Sequence, residues 1–185
     1  EEGGVTVVKV NKPNMAQKGT ISVEKTGEVF FGVNVSGEED EDVIYQPVYK
    51  VKGLAGAVYE ITADEDVITP DGTLRYHKGD VVDTVTTDED GTAKSKELYL
   101  GKYNVVETKA PTGMVINKEK YSVELTYAGQ DVAVTETATS FVNERQKVKI
   151  SLEKILEQDE IFGIGKNNEI KNISFGLYAK EDVVS

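Results

Sequence analysis

The chain of 185 residues contains no cysteine and no tryptophan, with two methionines, four prolines and a single histidine. Without cysteine there can be no disulfide, so any covalent staple must use other chemistry. With one histidine, His77, and no thiol, zinc chemistry is excluded in practice, and no metal or cofactor is expected. His77 sits in RYHKGD and reads as a surface loop residue. Basic residues are in deficit, 21 against 33 acidic, for a net charge of −12. Phosphate recognition needs clustered Lys and Arg, so nucleic acid is not an expected partner, nor is an anionic membrane surface. No run approaches the roughly 20 apolar residues of a membrane span. No Ser-His-Asp set, HExxH or phosphate-cradling glycine loop occurs, so nothing assembles a turnover site. With neither an initiating Met nor a signal peptide, the chain is expected to be a slice of something longer.

What is present is a lean hydrophobic complement, 38% of residues, dominated by Val, Ile, Leu, Tyr and Phe. Beta-branched residues fit pleated sheets better than helices. Short apolar or alternating runs occur at Val5–Val10, Thr20–Glu24, Val58–Ile61, Val81–Val85, Leu98–Val106, Tyr121–Leu125 and Val132–Val142. Turn clusters punctuate them, at Pro70-Asp71-Gly72, Asp88–Gly91 and Pro111-Thr112-Gly113. Lys147–Glu157 comes nearest to a helix, but its alternation reads as a strand. The expected fold is all-β, an antiparallel sandwich or barrel.

The two ends resemble each other. VKVNKPNMAQKGTISVEKTGEVFFGV near the start parallels TSFVNERQKVKISLEKILEQDEIFGI near the end. Both hold a strand ending in Asn, a polar linker, a strand ending in Glu-Lys, and then Phe-Gly. Asn11 thus matches Asn143, and Lys25 matches Lys154. Three parts are expected: 1–17, the last strand and linker of a preceding repeat; 18–145, one complete domain; and 146–185, an incomplete following repeat. Within the middle part, 28–53 reads as an added hairpin with an acidic tip, Glu38–Asp42. Neither that tip nor Asp88–Gly91 has the spacing of a calcium loop.

Side chains alternate faces along a strand. Lys25 therefore shares a face with Ile21 and Val23, Glu107 with Val105, and Asn143 with Phe141. Lys25 is read as ending the first strand and Asn143 as ending the last.

YNVVETKAPTGM, residues 103–114, resembles the pilin E-box, roughly Y-x-x-x-E-T-x-A-P-x-G-Y, with Met114 in place of the final aromatic. GLAGAVYEI, residues 53–61, resembles the second-strand signature of SpaA-like and collagen-adhesin B-type (CnaB) domains. The resemblance spans nearly all of residues 18–145. It implies a prealbumin-like, inverse immunoglobulin-like β-sandwich, with a fragment of a neighbouring repeat at each end. It also implies a spontaneous isopeptide bond, with Lys25 as nucleophile, Asn143 as electrophile and Glu107 as catalytic acid. Burial favours the neutral amine that attacks, and a buried acid can hold a proton against the asparagine amide. The event is a single self-modification, not turnover. Asn11 and Lys154 are expected to stay unlinked, because their partners lie outside the chain.

The leading expectation is a structural stalk or pilin-like module at the surface of a Gram-positive cell, partnered by neighbouring repeats. The alternative is an adhesin module that binds a host protein or glycan through 28–53; a shortage of exposed aromatics favours the spacer. Head-to-tail association of Gly4–Pro13 with Lys147–Ile155 of another copy is a third arrangement. No LPxTG-like sorting signal or pilin lysine motif occurs, so pilus shaft and wall-anchored parents both stay open.

Overall fold

The computed structural model describes residues 14–37, 43–154 and 175–181. Two compact units divide it: 1–29 with 50–145, and 30–49 with 146–185.

Two sheets form the sandwich, and the strand stretches at 30–36 and 44–49 belong to the smaller unit. In the first, β1 (Lys18–Ser36) lies between β11 (Val134–Asn143) and β2 (Ile44–Gly53), with β7 (Thr92–Lys94) and β8 (Leu98–Tyr99) also paired to β1. In the second the order is β10 (Lys120–Leu125), β9 (Gly101–Lys109), β3 (Val58–Ala63) and β6 (Val81–Thr86). A small hairpin joins β4 (Val67–Ile68) to β5 (Leu74–Tyr76). Every described element is a strand, as the β-branched alternating runs require.

The alternation sets the core. In β3 every second residue is buried, Tyr59, Ile61 and Ala63. These meet Tyr103, Val105, Val82, Val123 and Leu125 of their own sheet, and Ile21, Val23, Leu98 and Phe141 of the facing one. The first and last strands run parallel and side by side, with Lys25 opposite Phe141 and Gly27 opposite Asn143.

Four expectations need correction. The first strand does not end at Lys25: β1 runs on through it to Ser36, because β2 supplies a pairing partner along the predicted hairpin. Lys25 is therefore a mid-strand residue. The run Leu98–Val106 is broken at Leu100 into β8 and β9, which join different sheets. The last strand begins at Val134 rather than Val132. Residues 147–154 of the predicted Lys147–Glu157 strand are irregular, with Val148 90% exposed; alternation without a partner strand makes no ladder. Strands β4, β5 and β7, of two or three residues, were too short to show a period. Val5–Val10, Asn11 and Glu38–Asp42 lie outside the described residues.

Candidate functional site

Lys25, Glu107 and Asn143 meet inside the sandwich. They are 0%, 1% and 3% exposed, in a core otherwise made of aromatic and aliphatic side chains. Two come from parallel neighbours, β1 and β11, and the third reaches across from β9 in the facing sheet. Lys25 Nζ lies 3.2 Å from Glu107 Oε1 and donates to Asn143 Oδ1. Asn143 Nδ2 donates to both Glu107 oxygens, at 3.0 and 3.1 Å. Each polar atom of the cluster thus faces another member, which is how such groups tolerate burial.

Aromatic rings roof the amine. Nζ is 5.8 Å from the Tyr59 ring centroid and 5.9 Å from that of Phe141. Tyr59 tilts against Phe141 at 4.6 Å, and Tyr121 meets Phe141 edge-on at 4.3 Å. Tyr59 sits directly opposite Glu107 on the neighbouring strand. Burial, and then the nearby Glu107 charge, push the Tyr59 phenol above its ordinary range, so it stays protonated. Burial lowers the proton affinity of Lys25 below the usual 10.5, and its hydrogen bond and attraction to Glu107 offset only part of that.

The backbone around Lys25 is tied down on both sides. Its N–H donates to the Gly91 carbonyl at 2.7 Å, and its carbonyl accepts from Leu54 N–H at 2.9 Å. Gly91 has φ +78°, and a Cβ there would fall 2.3 Å from the Lys25 carbonyl oxygen. Its turn is organised by Asp88, whose side chain accepts from the N–H groups of Asp90 and Thr92 and from the Thr92 hydroxyl. The acidic turn Asp88–Gly91 therefore holds the lysine strand in place. Two residues beyond Lys25, Gly27 leaves room for the Asn143 carbonyl, which a Cβ would approach to 3.2 Å.

The E-box turn supplies the other supports. Met114 N–H donates to the Pro111 carbonyl, and Gly113 takes φ +78°, as a Pro-Thr-Gly turn demands. Met114 bridges to Arg145, and Val115 N–H donates to the Glu144 carbonyl at 2.9 Å, tying this loop to the residues after Asn143. Asn117 backbone N–H donates to Glu107 Oε2 at 2.7 Å. Sequence reasoning missed Gly91, Leu54, Gly27 and Asn117. Leu54 and Asn117 act through backbone N–H groups that leave no trace in residue type, and Gly91 and Gly27 act by having no side chain.

Of the remaining candidates, Lys154 is exposed on irregular chain, and Asn11 is not described. His77 is exposed, 3.9 Å from Asp66. No cluster of three or more metal-ligating side chains occurs among the described residues.

The fold and this buried cluster mark a β-sandwich module whose end strands are held together at a shared internal site. The sequence model of the SpaA prealbumin-like fold domain matches residues 48–140, and the chain belongs to that family. It is 29% identical over 77 residues to the trypsin-resistant surface T6 protein of Streptococcus pyogenes serotype M6, covering 40% of this chain and 14% of that protein. Among solved structures it is similar to GBS52, the minor pilin of Streptococcus agalactiae. There the identity is 16% and the TM-score 0.45, over 75% of this chain and 49% of that one. It is also similar to the major pilin SpaD of Corynebacterium diphtheriae, at 22% identity and TM-score 0.44, over 73% and 32%. The chain thus spans less than half the length of each of these proteins.

Proposed function

We propose that this chain is a load-bearing module of a Gram-positive surface stalk or pilus, locked by a self-made Lys25–Asn143 isopeptide bond. The single observation that carries the reading is the buried, mutually hydrogen-bonded Lys25–Glu107–Asn143 cluster linking the first and last strands. A structural role alone is a poor reason to bury it, since apolar side chains of similar volume stabilise a core at least as well.

The chemistry runs through these three side chains. Lys25 passes a proton across the 3.2 Å contact to Glu107, leaving a neutral amine beside a protonated acid. The amine attacks Asn143 Cγ, while Glu107, which contacts Nδ2, holds the amide in place and is set to protonate the departing nitrogen. The Nζ–Cγ bond forms and the Cγ–Nδ2 bond breaks. A second proton from Nζ reaches Nδ2 by way of Glu107, and ammonia departs. Folding supplies the proximity that an amide otherwise lacks.

The bond closes a loop between positions 118 apart in sequence. Loop entropy then contributes about 5 kcal/mol, by analogy with a disulfide. Tension entering at β1 and leaving at the end of β11 passes directly between them. Such a staple resists reduction, which fits a cysteine-free module outside the cell, with neighbouring repeats 1–17 and 146–185 as its partners in the array.

The test is the intact mass of the purified chain with peptide mapping, beside Lys25→Ala and Glu107→Ala. Wild type should be lighter than its sequence by one ammonia, with a branched peptide joining Lys25 to Asn143, and both variants should have full mass. Wild type at full mass would refute the reading.

One observation favours contact with a further partner as well. The hairpin of β1 and β2 exposes Phe31, Val33, Val35, Ile44 and Tyr45, each by 46% or more, so exposed aromatics are less scarce than the composition suggests. A host protein, a glycan or an adjoining subunit would fit there. Binding arrays that stay silent would leave the spacer role alone.

A further inference from the structure

The loop between β9 and β10, residues 110–119, touches one member of the buried cluster and is paired to the residues directly after another. Through Val115 and Met114 it is paired to Glu144 and Arg145, directly after the amide-bearing Asn143. Through Asn117 its backbone N–H reaches the acid, 2.7 Å from Glu107 Oε2. The side chain of Asn117 fixes that approach, since its Oδ1 accepts from Glu119 N–H at 2.9 Å and closes the turn on itself.

The two carboxyl oxygens of Glu107 are therefore not equivalent. Oε1 faces Lys25 Nζ at 3.2 Å, while Oε2 accepts from Asn117. Asn143 Nδ2 contacts both almost equally and does not distinguish them. In a neutral carboxylic acid the carbonyl oxygen is the better acceptor, and the hydroxyl oxygen carries the only donor. An N–H committed to Oε2 favours the form in which Oε2 is the carbonyl and the proton sits on Oε1. That oxygen receives the proton from the lysine and delivers it to the leaving nitrogen.

Resting on the cross-linking reading above, we infer that the Asn117 backbone N–H is a positioning donor that directs the Glu107 proton to Oε1, on the lysine side. It touches none of the reacting atoms of Lys25 or Asn143 and acts only through Glu107. A backbone donor suits this task. It cannot titrate, it occupies no core volume, and the turn that presents it is the same one that holds the chain after Asn143. One loop thereby couples the placement of the acid to that of the electrophile.

The experiment follows cross-linking in newly made full-length chain, by stopping cell-free synthesis at intervals and reading the fraction that has lost ammonia. The 2-hydroxy analogue of asparagine incorporated at position 117 replaces the amide N–H by an ester oxygen and keeps the side chain, and the wild-type chain is its control. The ester chain should react about tenfold more slowly than wild type, the factor of one ordinary hydrogen bond. Circular dichroism should show the same fold for both. Equal rates in the two chains would overturn the inference while leaving the cross-link standing. A wild-type chain that never loses ammonia would overturn both.

A second readout does not depend on the ester chain folding. In the full-length Lys25→Ala variant, which cannot cross-link, a scalar coupling across the hydrogen bond should join the Asn117 amide to the Glu107 carboxyl carbon. Absence of that coupling would overturn the inference.

Discussion

The more apolar half of β1 is the more exposed one. From Ile21 to Gly27 the strand alternates, with Ile21, Val23, Lys25 and Gly27 buried and Glu24 exposed. From Glu28 to Ser36 the strand carries three valines and two phenylalanines, yet Phe31, Val33 and Val35 are 55%, 46% and 60% exposed. The first half is flanked by β11, β7 and β8 and faces a second sheet across a core. From Phe30 on, the second half belongs to the smaller unit, where the rings of Phe30 and Tyr49 lie 6.2 Å apart. A β-branched alternating run specifies a strand; only a covering layer turns one of its faces into a core. That layer is also what makes Lys25 a buried amine and not another solvated lysine.

The largest break in this comparison should come from Glu107→Ala. It removes the acid, so the bond does not form and about 5 kcal/mol of loop-closure stabilisation is lost. It also strands Lys25 without its charge partner, for about 3 kcal/mol more. The melting temperature should collapse and the mass should stay full, while hydrogen exchange in the hairpin at 30–49 changes little.

Gly91→Ala attacks the same half of β1 from its backbone. The new Cβ meets backbone atoms of Lys25, Gly53 and Leu54 at 2.3 to 2.7 Å, at a positive φ. We expect about 3 kcal/mol of destabilisation and slower loss of ammonia, measured by denaturant titration and by a mass time course.

Acidity gives a smaller and graded effect. In Asn143→Ala the bond is absent but Lys25 stays buried. Its folded proton affinity lies below the unfolded 10.5, so the unfolded chain binds more protons between the two values. Stability of this variant should therefore rise with pH across that window and be lost as pH falls through the lowered folded value. Thermal melts at stepped alkaline pH check the sign, and Lys25→Ala with Asn143→Ala together should flatten the dependence.

The smallest effect should come from the uncovered half. Phe30→Ala loses the edge-on contact with Tyr49, worth about 1 kcal/mol. It should loosen exchange within the hairpin and leave the ammonia loss untouched. An equal effect on both halves of β1 would contradict the division drawn here.

Much of this arrangement was legible before any coordinates. Short runs at Val58–Ile61, Val81–Val85 and Tyr121–Leu125 became β3, β6 and β10, and in β3 and β10 the alternation is a direct image of the two faces of the sheet. The same rule put Lys25, Glu107 and Asn143 on apolar faces, and the structure brings those three together. The rule failed where it lacked a partner: 147–154 alternates and forms no strand. It also failed on length, running β8 and β9 together across Leu100 and stopping β1 at Lys25.

The sequence by itself determined which residues of a strand share a face, where the Asp88–Gly91 and Pro111–Gly113 turns fall, and that no disulfide can hold the chain together. Those properties follow from local sterics and side-chain chemistry, which a short window of residues contains. Only the tertiary structure decided that β1 and β11 lie parallel, that Gly91 and Leu54 grip the lysine backbone, and that the Asn117 amide reaches Glu107. Each of these joins groups far apart along the chain, or distinguished only by a backbone N–H or C=O that every residue shares. They exist only once the two sheets have closed on their core.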